Sequence, residues 1–166
     1  NNPQFNNLNL ASLSDSDQNW QVPTILDLEG DGIEEVVVGT SNGVLQLLKN
    51  TGLTRILTTE TNPTNSMSSG FSSTSLAFVD IDGDNDFDAF MGEGLGELRY
   101  FENTGSIFSA SFSERTGTEN PLDMANVGLS STSDFVDIDN DGDQDAFVWG
   151  GDFLFYKNEG NAMSPN

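Results

Sequence analysis

Residues 78–92 read Phe78-Val79-Asp80-Ile81-Asp82-Gly83-Asp84-Asn85-Asp86-Phe87-Asp88-Ala89-Phe90-Met91-Gly92. Aspartates at alternate positions across a tight turn, with apolar runs on both sides, spell strand, cation-binding loop, strand. The pattern returns at Phe135 to Val148 and, in altered form, at Ile25 to Gly39. Three copies of one device organise the chain.

Each loop is numbered here from its first acid. Positions 1, 3, 5 and 9 are Asp80, Asp82, Asp84 and Asp88 in the second loop, and Asp137, Asp139, Asp141 and Asp145 in the third. Alternate side chains on a curled loop converge on one point, and position 7, Asp86 or Asp143, adds a backbone carbonyl. Calcium takes six to eight oxygens at about 2.3–2.6 Å, whereas magnesium prefers few carboxylates and several waters. Gly142 at position 6 permits a positive φ, and Asn85 is the next most tolerant residue for the second loop. The EF-hand also begins with alternating aspartates, but it needs flanking helices and a Glu at position 12. Position 12 here is Met91 or Val148. The first loop carries Asp27, Glu29, Asp31, Ile33 and Glu35 at positions 1, 3, 5, 7 and 9, with longer side chains replacing two aspartates. Two Ca²⁺ sites are therefore expected, with a third, weaker one at residues 27–35.

The charge balance agrees. Against 27 acids stand five basic residues, for a net charge of −22, and fifteen of those acids fall in the windows 27–35, 80–88 and 137–145. Such density is hard to tolerate without cations. It excludes nucleic acid, whose phosphates need clustered bases, and disfavours anionic membrane surfaces. No apolar run approaches spanning length, so no membrane insertion is expected. Without cysteine there are neither disulfides nor thiolate metal sites, and without histidine the commonest general base is missing. Almost every regularly spaced acid is already assigned to calcium. No catalytic residue is assigned, and the chain is read as not an enzyme.

Around each loop the order of elements repeats. Strands are expected at Trp20 to Leu28, Val36 to Val38, Val44 to Leu48 and Leu53 to Thr58, then at Leu76 to Ile81, Ala89 to Met91 and Leu98 to Phe101. Asn50-Thr51-Gly52, Asn103-Thr104-Gly105 and Asn158-Glu159-Gly160 close the three units, 25, 25 and 23 residues after the loop starts. Loop starts lie 53 and then 57 residues apart, so spacing is held within units and elastic between them. The strand after each loop is apolar at consecutive positions, which means burial on both faces. The linkers Thr58 to Ser75 and Ser109 to Ser133 are rich in Ser, Thr, Asn and Gly, and predict outer strands with long surface loops. A single all-β repeat domain over 1–166 follows: three four-stranded β-propeller blades, at about 20–60, 74–118 and 132–160, each with its calcium loop between first and second strands.

The run Phe78 to Asp84, the Asp at position 9, the apolar strand and Tyr100-Phe101-Glu102-Asn103-Thr104-Gly105 together resemble FG-GAP/VCBS repeats. The resemblance covers all three units and is most specific in the last two; the first departs at Glu29 and Glu35. It implies integrin-type propeller blades holding Ca²⁺ at the positions named, and an extracellular or cell-surface setting with an adhesion, ligand-binding or scaffold role. Propellers of this kind have about six to eight blades, and three units cannot close a ring alone. The third unit stops at Ser164-Pro165-Asn166, where its outer strand is due, and an orphan strand, Pro3 to Leu10, precedes the first. That strand is expected to complete a blade of a neighbouring chain or of a missing segment, giving head-to-tail self-association as a ring or filament. The expected function is a non-catalytic extracellular calcium-binding module with an adhesion, scaffold or assembly role. One alternative is a lectin-like propeller with a glycan or protein ligand, since Trp20, Trp149, Tyr100 and Tyr156 can stack on sugar rings, although their strand positions favour the blade core. The other is a fragment of a larger secreted polysaccharide-active enzyme.

Overall fold

The structure, a computed structural model, describes residues 22–39, 45–50, 55–57, 63–67 and 75–160. Strands β1 (Pro23–Leu26), β2 (Glu35–Gly39), β3 (Leu45–Asn50) and β4 (Arg55–Leu57) form one antiparallel sheet in sequence order. Strands β5 (Ser75–Val79), β6 (Asp88–Gly92), β7 (Leu98–Asn103) and β8 (Phe112–Arg115) form the second, and β9 (Thr132–Val136), β10 (Asp145–Trp149) and β11 (Phe153–Tyr156) the third. Only two short 3₁₀ turns, Pro63–Ser66 and Gly117–Glu119, interrupt the all-β pattern among the described residues. The third sheet has three strands there rather than the expected four. The orphan strand at 3–10 and Trp20 lie outside the described residues.

One register recurs in each sheet. The residue before the loop pairs with the acid at position 9: Leu26 with Glu35, Val79 with Asp88, Val136 with Asp145. From there, side chains alternate between two faces. On β6, Ala89 and Met91 point to the first sheet and Phe90 points to the third. Ala89 and Met91 join Val37, Leu45, Leu47, Leu76 and Phe101 in one core. Phe90 joins Val79, Ile81, Leu98, Tyr100, Ala146 and Val148 in a second. All five residues of β6 are buried, which is why Ala89, Phe90 and Met91 are apolar at consecutive positions instead of alternating, while the buried Asp88 that opens the strand is the acid of loop position 9. The middle sheet is thus packed on both faces. First strands of successive units also meet, through Thr24 Oγ1 donating to the Leu76 carbonyl at 2.9 Å and through Ser75 Oγ and Thr132 Oγ1 at 2.6 Å.

The second linker is more than a surface loop. Its residues Leu122, Ala125 and Val127 are buried in the core between the second and third sheets, and Met67 of the first linker is buried in the other core. Val127 and Ser131 donate backbone hydrogen bonds to Gly96 and Glu93, pinning the linker across the β6–β7 hairpin. Trp149 also departs from its expected place in the core, since it is 61% exposed. No closed ring forms among the described residues; the sheets make an open stack.

Candidate metal centre

The loops curl because their backbone amides fold onto the first acid. Asp80 accepts from the Gly83 and Asn85 amides (2.8 and 3.1 Å), and Asp137 from those of Asp141 and Gly142 (3.1 and 3.0 Å). Asp27 does the same for Asp31 and Gly32 (3.0 and 2.8 Å). The acid at position 5 then accepts the amide two residues on: Asp84 from Asp86, Asp141 from Asp143, Asp31 from Ile33. In the second loop Asp82 likewise accepts from Asp84 at 3.2 Å. The curl requires left-handed φ at position 4 as well as position 6, met by Gly30 and Gly32, Gly83 and Asn85, and Asn140 and Gly142. The Gly, Gly and Asn at position 4 carry this second requirement in the sequence, beside the Gly or Asn at position 6.

Position 9 is buried in all three loops, as Glu35, Asp88 and Asp145. Asp145 accepts from the Ile138 amide (3.2 Å) and from the Asn158 amide (2.8 Å), so it ties the loop's second residue to the end of β11. Asp88 takes the Asn103 amide at 2.7 Å and the Tyr100 hydroxyl at 3.1 Å. Glu35 reaches the Leu28 amide at 3.0 Å, so the longer side chain serves the same anchoring role. The closing asparagines also hold the chain: Asn103 Oδ1 accepts from Gly105 and Ser111, and Asn158 Oδ1 from Gly160.

These folds bring carboxylates together. One oxygen from each of Asp80, Asp82 and Asp84 lies within 4.8 Å of the others, and Asp137, Asp139 and Asp145 form a second such trio. The first loop brings no such trio together among the described residues. Asp86 and Asp143 are buried beside their trios, and Asp86 Oδ1 has no hydrogen-bond partner. Hard carboxylate oxygens at close quarters, with one buried oxygen left over, fit a calcium-type cation and offer nothing to a soft metal.

The electrostatics of the second loop point the same way. Burial raises the Asp82 carboxyl, and the neighbouring Asp84 raises it further. Asp86 is pushed up to about 6 by burial, followed by repulsion from Asp84, Asp82 and Asp80. Asp88 is pushed up to about 7 by burial, against the stabilising Asn103 amide. These carboxyls resist ionising as a set, and a divalent cation among them reverses the cause. The third loop has a different neighbour. Lys157 Nζ hydrogen-bonds Asp139 and lies 3.6 Å from Asp141 Oδ2, and the bond holds the Asp139 carboxyl below its ordinary value. The second unit has Glu102 at the matching position, paired with Arg115 across the sheet.

Of the aromatic residues with sugar-stacking potential, Tyr100 is buried and Tyr156 packs partly against the core between sheets. Trp149 alone among the described ones offers an open ring face. No helix among the described residues is long and apolar enough to cross a membrane. Residues 27–91, from the first acid of the first loop to Met91 in β6, match the family model of the FG-GAP-like repeat. No curated protein and no solved structure matches the chain.

Proposed function

We propose that this chain, whose residues 27–91 match the FG-GAP-like repeat, is a calcium-braced β-propeller module that acts by presenting surfaces rather than by catalysis. The observation that carries the calcium is the pair of carboxylate trios on equivalent loops, one of them with the orphaned Asp86 oxygen beside it. Stacked sheets whose first strands adjoin are the arrangement of neighbouring propeller blades, which supports the blade reading. Calcium's role is structural: it neutralises carboxylates that otherwise repel, and so fixes the turn between the first two strands of a unit. Affinity on the order of 10⁻⁴–10⁻³ M suits extracellular modules, where millimolar calcium is present, and an adhesion or scaffold role at the cell surface follows from that setting. The chain has neither His nor Cys, and the acids of the described loops are engaged in holding the turns, which supports a non-catalytic role.

Calorimetric titration with Ca²⁺, paired with thermal unfolding in calcium and in chelator, tests this. Two binding events and a higher Tm in calcium are expected, with one event lost in Asp80→Asn and the other in Asp137→Asn. Absence of both heat and Tm shift at millimolar Ca²⁺ would overturn the reading.

A further inference from the structure

At the end of β6 opposite its acidic loop, the strand runs into the hairpin turn 93–97, and a pocket of about 350 Å³ opens beside it. Its walls come from that turn, from β7 and β8, and from the start of the second linker. Four carboxylates line it, Glu93, Glu97, Glu114 and Asp123, together with the guanidiniums of Arg99 and Arg115. Both arginines are already committed. Arg99 forks onto Glu114, Nε to Oε1 and Nη2 to Oε2 at 2.7 Å each, and Arg115 Nε donates to Glu102 at 2.6 Å. With those pairs neutral, Glu93, Glu97 and Asp123 leave the pocket negative.

Glu93 is the group the fold leaves unsatisfied. Its side chain is 4% exposed, yet Oε1 accepts no hydrogen bond, and Arg99 Nη1 stands off at 3.6 Å. A buried carboxylate oxygen without a donor costs stability, and its presence in a folded chain calls for a donor from outside. The backbone around it is firmly held. The Glu93 amide donates to the Glu97 carbonyl at 3.0 Å and to Ser131 Oγ at 2.9 Å, and the Ser131 amide returns a bond to the Glu93 carbonyl at 3.0 Å. On the linker side, Asn120 Nδ2 donates to the Leu98 carbonyl at 3.0 Å, and Asp123 Oδ1 accepts from the Gly117 amide at 3.1 Å. The pocket is therefore formed in advance of any ligand. Nor is it part of the repeat. Glu93 stands where the other units have Thr40 and Gly150, and Arg99 where they have Gln46 and Leu154. Residues that build each unit recur in all three, as the position 9 acid and the closing asparagine do; Glu93 and Arg99 belong to the second unit alone.

The ligand has to bring positive charge and N–H donors. Burial raises the Glu93 carboxyl, Arg99 lowers it, and Glu97 and Glu114 push it up again, so a further cation relieves the repulsion. A bare metal ion is a poor match, because these acids form no trio of oxygens within 4.8 Å as the loop aspartates do. An ammonium group carries three donors and no acceptor, which suits a pocket whose uncommitted groups all accept. We infer that this pocket binds a primary ammonium group, with Glu93 Oε1 as its buried acceptor and Glu97 and Asp123 supplying the surrounding charge. A free aliphatic diamine and a lysine side chain of another protein present the same group. The inference goes beyond the calcium reading and does not depend on it, since loop and pocket lie at opposite ends of β6.

The test is calorimetric titration of the full chain with putrescine and with Nα-acetyl-lysinamide, in millimolar Ca²⁺ and about 0.15 M salt, where the net charge of −22 reaches only about 8 Å. Saturable binding of one amine per chain is expected: putrescine alone would identify a free diamine, and the lysine compound a side chain. Glu93→Gln should weaken it at least about tenfold and Glu97→Gln severalfold, while Asp152→Asn, which removes an exposed acid elsewhere, should leave it within about twofold. Tetramethylammonium, with the charge but no N–H, should bind at least about tenfold more weakly than the better amine. No saturable heat from either amine at millimolar concentration, equal losses in Glu93→Gln and Asp152→Asn, or tetramethylammonium binding as well as the amines would overturn the proposal. So would loss of a Ca²⁺ heat in Glu93→Gln, which would make the pocket a metal site. Calcium heats that persist while amine binding is absent would count against the pocket alone.

Discussion

Phe90 and Phe147 occupy one repeat position in two environments, so truncating each to alanine measures what the neighbouring sheet contributes. Phe90 is fully buried and touches Tyr100 and Phe135, both at 4.8 Å between ring centroids. A fully buried Phe→Ala change costs about 3–5 kcal/mol, and each aromatic pair adds about 0.5–1.5 beyond area. Phe90→Ala should therefore fall near the top of that range, about 4–5 kcal/mol. Phe147 packs on Phe155 and Phe153 from its own sheet only, at 4.9 and 5.8 Å, and its outer side meets solvent. Phe147→Ala should cost about 1–2 kcal/mol. With a urea slope of about 2 kcal/mol/M, the midpoint should drop by about 2 M for Phe90→Ala and by less than about 1 M for Phe147→Ala. Circular dichroism in the far ultraviolet, in calcium and at submicromolar protein, reads both. Equal losses would mean that the third sheet's outer face is covered within one chain, and a Phe90→Ala cost below about 1 kcal/mol would mean that the second and third sheets do not pack as described.

Lys157→Gln removes the ammonium that neutralises Asp139 and Asp141, and should tighten Ca²⁺ binding at the third loop severalfold in calorimetry while leaving the second loop unchanged; unaltered affinity at both would show that the lysine does not compete with the ion. Glu93 is buried with Oε1 lacking a hydrogen bond, and burial raises its carboxyl despite Arg99 nearby. Its folded value lies above its unfolded one, so the stability it contributes is complete at low pH and is lost as pH rises through the folded value. Glu93→Gln should match wild type near pH 4 and become the more stable protein as pH approaches 7. A difference in stability that stays constant with pH, or reverses, would refute this assignment of sign.

The loops were legible because their chemistry is local: alternating acids, Gly or Asn between them and a fixed register to the next strand all lie within fifteen residues. The same locality made the three units visible. What escaped depends on neighbours distant in sequence. The linker residues Leu122, Ala125 and Val127 sit singly in polar company, and only the passage of that segment across the β6–β7 hairpin buries them. Trp149 lies in an apolar strand that reads as core, yet its exposure depends on whether another sheet lies beyond it. Lys157 reaches Asp139 across 18 residues because β11 pairs with β10 in a particular register, and no spacing rule announces that contact. Position 9 was read as one more oxygen donor. Its second duty, joining the loop to the strand that follows the hairpin, becomes visible only when Asn103 and Asn158 come alongside.

The inward faces of the second and third sheets are near copies. Phe78, Ala89, Met91 and Phe101 make one, and Phe135, Ala146, Val148 and Tyr156 make the other. Each is shaped to receive the face of the unit before it, and those receiving faces are also alike. Excising a whole unit, by joining residue 74 to residue 132, would set the third sheet on the first with aromatic against apolar and small against large as before. Unit number is then a quantity that recombination can change without redesigning any core.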